Sequence, residues 1–241
     1  MRVLDVDLDF FLADTCPLAG YGCRPSLQGH EPWSEGEVRA FLEEKLRLCR
    51  LSPVEGRIYE THDGSLRMWD ELVRAGRLSV PFEVTHIDAH SDLGIGYPGP
   101  GLVMNNALCR KPDARVNLED YYRLKQLDEA NYLLFALAFR WVSLLENVRN
   151  PNSKPDMPRE IVHERDERGV PTALRLAPPL PSLFEAMNGK EPVVKYREFA
   201  SGDDYVSTSG FDFISLAMSP RYAPEEADCL ANVIAEYIKP I

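Results

Sequence analysis

Polar and apolar positions alternate along residues 2–9. Leu4, Val6 and Leu8 stand between Asp5, Asp7 and Asp9, and this period of two predicts a buried strand. Residues 34–49, SEGEVRAFLEEKLRLC, change to helical spacing. Val38, Phe41, Leu42 and Cys49 fall on one face, and Ser34 with Glu37 makes a capping box. GRIYETH (56–62) reads as a second short strand. A helix follows through Met68, Trp69, Leu72 and Val73 and closes near Gly76. SVPFEVTHIDAH (79–90) is a third strand, and the glycines and prolines of DLGIGYPGPG predict a loop after it. A long helix is expected over 131–148, ended by NPNSKPDMP. EIVHERDERGVPTALRLA (160–177) reads as a hairpin about a polar turn. GFDFISLAMSP is a late buried strand. APEEADCLANVIAEYIKP (223–240) is a final helix, with Pro224 near its first turn and Lys239 at its end.

Strands alternating with helices predict an α/β fold: a mainly parallel central sheet covered by helices on both faces, three layers in all. One domain over 1–241, with a hairpin inserted at about 159–177, is the simplest organisation. The proline-rich break at 150–158 is the alternative boundary. In such sheets ligands bind at the carboxyl ends of the strands. Asp5, Asp7 and Asp9 lie on the first strand, His62 follows the second, and Asp88, His90 and Asp92 follow the third.

Composition narrows the partners. Of 241 residues, 44% are hydrophobic, enough for a substantial core. The net charge of -11 disfavours nucleic acid and anionic membrane surfaces and leaves a small molecule as the expected partner. Cys16, Cys23, Cys49, Cys109 and Cys229 are odd in number and form no C-x-x-C pair. Neither a disulfide framework nor a thiolate zinc site is implied, and a reducing cytosol is the simplest compartment. Acids interrupt the apolar residues of MRVLDVDLDFF, unlike a signal peptide, and no apolar run reaches the ~18 residues of a membrane span.

The chemistry concentrates in VTHIDAHSD, where every second residue gives His86, Asp88, His90 and Asp92. Imidazole nitrogen mixed with carboxylate oxygen suits manganese, iron, zinc or cobalt better than calcium. A shared carboxylate can hold two such ions about 3.5–4 Å apart, and the pair turns water into a nucleophile near neutral pH. The bland alternative is a helix cap at Asp92 and a hydrogen-bonded core histidine at His86. Asp5, Asp7 and Asp9 could likewise be solvated acids on an edge strand, but Leu4, Val6, Leu8, Phe10 and Phe11 between and after them demand burial.

HIDAHSD resembles the D-A-H-x-D signature of the arginase and agmatinase (ureohydrolase) superfamily, whose fold is shared by deacetylase-like amidohydrolases. YETHDGS resembles that family's G-G-D-H-S, LDVDLDFF its S-F-D-x-D segment, and FDFISLAMSP its late L-D-x-V-E-x-x-P strand. The set is also similar to a poorly characterised branch carrying D-L-D-F-F and H-x-D-A-H-x-D. These islands cover about a fifth of the chain, by the same motif reading. The resemblance implies a dinuclear site, usually of manganese, with zinc or iron as alternatives. One metal would be held by His62, Asp88, Asp92 and the first acid of a D-x-D pair. The other would be held by Asp88, His90 and both acids of that pair. Asp7 and Asp9 are the expected pair, and Asp5 with Asp7 is the alternative register. The implied reaction is hydrolysis of a carbon–nitrogen bond in a linear amide or amidine.

Three departures qualify it. The D-x-D segment comes first rather than late, as in a circular permutation. Ser215 or apolar neighbours stand where a late acid would grip a guanidinium. No histidine follows the metal loop, where Asn105 and Asn106 stand as candidate substrate contacts, with Trp69 and GIGYPGPG as candidate pocket walls. His86 and Asp92 are the candidate catalytic groups, His86 as proton carrier. Two rivals remain: a metal- or ligand-binding protein without turnover, and a haloacid-dehalogenase-like phosphatase using DLDFF and the acids of Gly202–Asp204.

Overall fold

The computed structural model describes residues 1–16, 18–94 and 99–241, so residues 95–98 of the expected glycine- and proline-rich loop lie outside the described residues. In chain order the strands are β1 (Arg2–Asp7), β2 (Val54–Tyr59), β3 (Phe82–Asp88), β4 (Val142–Arg149), β5 (Val162–Arg165), β6 (Pro171–Leu174), β7 (Val194–Phe199), β8 (Phe213–Ala217) and β9 (Ile238–Pro240). The helices are α1 (Glu35–Ala40), α2 (Gly64–Arg74), α3 (Pro100–Asn106), α4 (Leu118–Arg123), α5 (Tyr132–Ala138), α6 (Pro181–Asn188) and α7 (Asp228–Ala235).

One nine-stranded sheet runs β5-β6-β7-β4-β3-β1-β8-β2-β9. Neighbours are parallel except at β5–β6 and β6–β7, where the expected hairpin joins one edge antiparallel. Along the central strands, alternate side chains feed two cores. Val3, Val84, Leu145 and Phe213 pack with α2, α4 and α5 on one face. Leu4, Val6, Ile87, Val148 and Ile214 pack with α1 and α7 on the other. The protein is thus an α/β fold with a mostly parallel sheet and helices against both faces. No helix among the described residues is long and apolar enough to cross a membrane.

Several sequence expectations hold locally. Ser34 and Glu37 form the reciprocal capping box of α1. β1 ends at Asp7, two residues early, because the Asp7 carboxylate accepts the Asp9 amide and turns the chain into a 3-10 segment, Leu8–Phe11.

The expected helix over 131–148 is not one element. α5 stops at Ala138, and Val142–Arg149 is β4, an interior strand between β3 and β7. The break falls on Arg140, whose φ is 62°. Its amide donates to the Leu137 carbonyl and that of Trp141 to the Ala136 carbonyl, a left-handed closing turn built without glycine. Leu144, Leu145 and Val148 fit a helical spacing as well as a strand, and no glycine or proline marks the boundary. The final helix is also shorter than expected. Ile238–Pro240 pairs with β2 as edge strand β9, and Lys239 reaches Glu55 at 3.0 Å instead of capping a helix. Proline is tolerated there because an edge strand leaves one side of its backbone unpaired.

The connection after β1 leads outward past β8 to β2, whereas β3 lies on the other side of β1. Chain direction therefore reverses about β1, and the crevice at the carboxyl ends of β1, β3 and β8 is where such sheets bind ligands. Every residue of β1 is buried. Deleting residues 1–9 should give insoluble protein, because β3 and β8 each lose a ladder. A soluble truncation with a cooperative melting transition would refute the central placement of β1.

Candidate metal centre

Parallel register places Asp5 beside His86 and Ser215, and Asp7 beside Ala217. Since strand side chains alternate, Asp5, Asp7, His86 and Asp88 share one face. His62 arrives from the turn between β2 and α2, and Asp92 from the loop after β3. All these side chains are buried, and His90 is half-buried at the rim.

His62 Nδ1 lies 3.1 Å from Asp7 Oδ2, 2.9 Å from Asp88 Oδ2 and 3.0 Å from Asp92 Oδ2. Beside this group, His90 Nδ1 lies 3.0 Å from Asp9 Oδ2 and 3.5 Å from Asp88 Oδ1. Asp88 thus offers one oxygen to each group. The donor atoms of Asp7, His62 and Asp88, and those of Asp9, Asp88 and His90, lie within 4.8 Å of one another. His62 Nδ1 and Asp88 Oδ2 are completely buried and, though 2.9 Å apart, make no well-oriented hydrogen bond. Such orphaned atoms are costly unless something else completes them. Nitrogen and oxygen donors converging on one point are what a divalent transition ion would take, so these buried groups could hold a metal ion.

Asp5, His62 and His86, and likewise His86, Asp88 and Asp92, also bring donor atoms within 4.8 Å of one another, and Asp5 is in addition held by hydrogen bonds. Ser215 Oγ donates to its Oδ1 at 2.8 Å, the Tyr132 hydroxyl donates to Oδ2, and His86 Nδ1 lies 3.1 Å from Oδ2. His62 Nε2 faces Asp5 Oδ1 at 3.2 Å. Asp5 therefore orients both imidazoles from beneath, as partners of ligating histidines do. Burial alone would raise its carboxyl, but His62 and His86 hold it well below the usual carboxylate range. His86 stacks under His62, with centroids 5.1 Å apart, and touches no cavity over the centre. Its position braces His62 and Asp88 rather than facing a substrate.

Burial and close charge pairs shift protonation throughout the cluster. Burial and the Asp88 charge push the Asp92 carboxyl up to about 7. Burial, Asp7 and Asp88 raise Asp9 well above the carboxylate range. Burial opposes charge on His90, yet Asp9 and Asp88 push it up to about 12. Burial likewise opposes charge on His62, but Asp5 and the carboxylates at its Nδ1 raise it well above its ordinary value.

The loop carrying these ligands is bent and clamped. Asp92 has a φ of 51° and Ser219, whose hydroxyl donates to Asp7, a φ of 43°. Left-handed non-glycine residues cost energy and cluster at functional sites. From behind, Arg149 Nη2 donates to the Ala89 carbonyl at 3.1 Å and Nη1 to Asp156 Oδ1 at 2.5 Å. Asp156 Oδ2 in turn accepts the Ser91 amide at 2.8 Å. Neither Arg149 nor Asp156 sits in a motif, so no sequence pattern marks this clamp.

Glu129 and Tyr222 were also not anticipated. With Ala130 and Ser219 they line the narrow opening over Asp7, His62, Asp88, His90 and Asp92. The Tyr222 ring packs on His90, centroids 4.9 Å apart. Glu129 also lines a wider cleft of about 510 Å³ with Asp63, Tyr122 and Arg221. Asn105 and Asn106, on α3, line neither. Trp69 belongs to the core against Phe82 and Tyr132, so it is not a pocket wall. Asp203 and Asp204 join no ligand group among the described residues, and Gly202 packs toward Phe41 and Phe10.

Asp88→Ala and His90→Ala should each remove most bound divalent metal, measured as metal content of purified protein; full stoichiometric metal in both would sink the assignment. Ligands must lose their protons to bind, so affinity should rise through about pH 7, where Asp92 titrates, and go on rising at higher pH because His62, His90 and Asp9 also hold protons. A flat profile in calorimetric titrations would contradict the protonation described. Arg149→Met should weaken metal affinity by about tenfold or more, the usual effect of losing a group that orients ligands. An unchanged dissociation constant would show that the clamp does not position the loop.

Compared with known proteins, the chain matches no family model, and no curated protein is significantly similar to it.

Proposed function

We propose that this chain is a metal-dependent hydrolase of the arginase- and deacetylase-like α/β type, acting on a carbon–nitrogen bond of a small linear amide or amidine. One observation carries the reading: Asp88 is shared between a group of Asp7, His62 and Asp92 and a group of Asp9 and His90. Two donor sets joined by one carboxylate fit a pair of divalent ions, with manganese first and zinc or iron next. Bound there, such ions supply Lewis acidity and lower the pKa of water.

The chain's own groups account for the rest. Asp5 and His86 fix the His62 ring beneath the centre, and Ser219 fixes Asp7. A substrate enters from the 510 Å³ cleft, and Glu129 stands where that cleft meets the centre. Burial raises the Glu129 carboxyl above its ordinary range, with Arg221 at 3.1 Å opposing the rise. A carboxyl raised in this way holds its proton more readily than an exposed one, which suits it to take and return a proton. Burial, with Glu129 and Asp92, keeps the Tyr222 hydroxyl protonated, so it serves as a donor to oxygen that gains negative charge. These two residues replace His86 as the proton-handling groups.

The Ser215 departure has a reason in the sheet. Position 215 faces Asp5 across the β1–β8 ladder. An acid there would oppose a buried carboxylate, whereas serine donates to it. A guanidinium therefore finds no acidic partner at position 215.

A panel of amides, ureido compounds and amidines, assayed with manganese, zinc, iron and cobalt, should reveal turnover. Glu129→Gln and Tyr222→Phe should each lower kcat at least about 100-fold with metal content unchanged. No turnover across the panel would replace the hydrolase with a ligand-binding protein of the same fold.

A further inference from the structure

A second cavity, of about 460 Å³, opens at the carboxyl ends of β4 and β7 and shares no lining residue with the cleft over the metal centre. Its charge runs against that of the protein. In a chain of net charge -11, this wall carries Arg149, Lys154, Arg159 and Arg165 against the acids Asp156 and Glu198.

Both acids are already committed. Asp156 accepts from Arg149 and from the Ser91 amide, and Glu198 Oε2 accepts the Tyr196 hydroxyl at 2.9 Å. Arg165 donates only to the Gly169 carbonyl, and Lys154 and Arg159 have no side-chain partner among the described residues. Exposed cations alone would be ordinary solvated surface. Two buried groups make the difference. Arg149 is 6% exposed, and its Nε has no hydrogen-bond partner. Ser153, on the same wall, has a buried and unpartnered Oγ. Unmet donors beside unpaired cations are what an oxyanion completes, and guanidinium groups match phosphate geometry with paired N–H donors.

We propose that this cavity binds a phosphate-bearing small molecule, its phosphate held by Arg159, Arg165 and Lys154 and by the free donors of Arg149 and Ser153. The volume exceeds that of a bare phosphate. Met157, Pro151 and Pro171 provide an apolar wall for the organic part of a phosphate ester. This inference does not use the hydrolase reading and stands or falls without it.

Calorimetric titration of the full chain with inorganic phosphate and with pyrophosphate tests it, run with EDTA present so that bound metal cannot capture the anion. Saturable one-to-one binding, weakened at least about tenfold in Arg159→Gln/Arg165→Gln, supports the site. If that variant melts lower than the wild type, Lys154→Gln takes its place, since that side chain holds nothing in the fold. Binding that is undiminished in the variants places the anion elsewhere and overturns the proposal. No binding up to about 10 mM, an affinity too weak for any specific site, overturns it equally.

Discussion

The crowding of Asp7, Asp9, Asp88 and Asp92 in a water-poor crevice is the constraint on which the rest of this protein depends. Two like charges about 4 Å apart repel by about 4 kcal/mol at an effective dielectric constant of about 20. Several such pairs would rival the whole stability of an ordinary domain, about 5–15 kcal/mol. The surroundings act to make the crowding tolerable. Three imidazoles intervene, Asp5 anchors two of them, and hydroxyls from Ser215, Ser219 and Tyr132 donate to the carboxylates. The ligands are set on strand ends whose positions two hydrophobic cores fix, and the Arg149–Asp156 pair holds the loop from the rear. Grouped in this way, the same carboxylates and imidazoles could also hold a metal ion.

Period-two spacing made the centre legible, because it operates at two scales. Within β3 it puts His86 and Asp88 on one face, and across β1 and β3 parallel register aligns them with Asp5 and Asp7. What the spacing could not decide was which two of Asp5, Asp7 and Asp9 do which work. The D-x-D-x-D segment repeats itself, so its register is set from outside: Ser215 and Tyr132 claim Asp5, whereas the turn at Asp7 swings Asp9 toward His90. Neither neighbour is near in sequence.

Elsewhere the pattern was ambiguous for other physical reasons. Residues 131–148 are apolar enough to satisfy either period, and the decision rests on the left-handed turn at Arg140, a residue with no special preference for it. Glu129 and Tyr222 reach the centre from separate loops, where position follows from tertiary packing and carries no periodic signature. Asn105 and Asn106 stand near the place of a missing histidine, and an absence does not locate a replacement.

β1 sits between β3, which ends at residue 88, and β8, which begins at residue 213. Asp5 and the Ser215 that satisfies it are 210 positions apart. Joining points so distant carries a large loop-closure entropy, and such long-range pairing slows folding. The β1–β3 ladder can form well before its other flank closes. During that interval Asp5 lacks its serine, and the open edge of β1 can pair with another chain. Correct assembly of the ligand set is therefore among the late events of folding, and the molecule's exposure to misassociation is greatest at the strand that bears its chemistry.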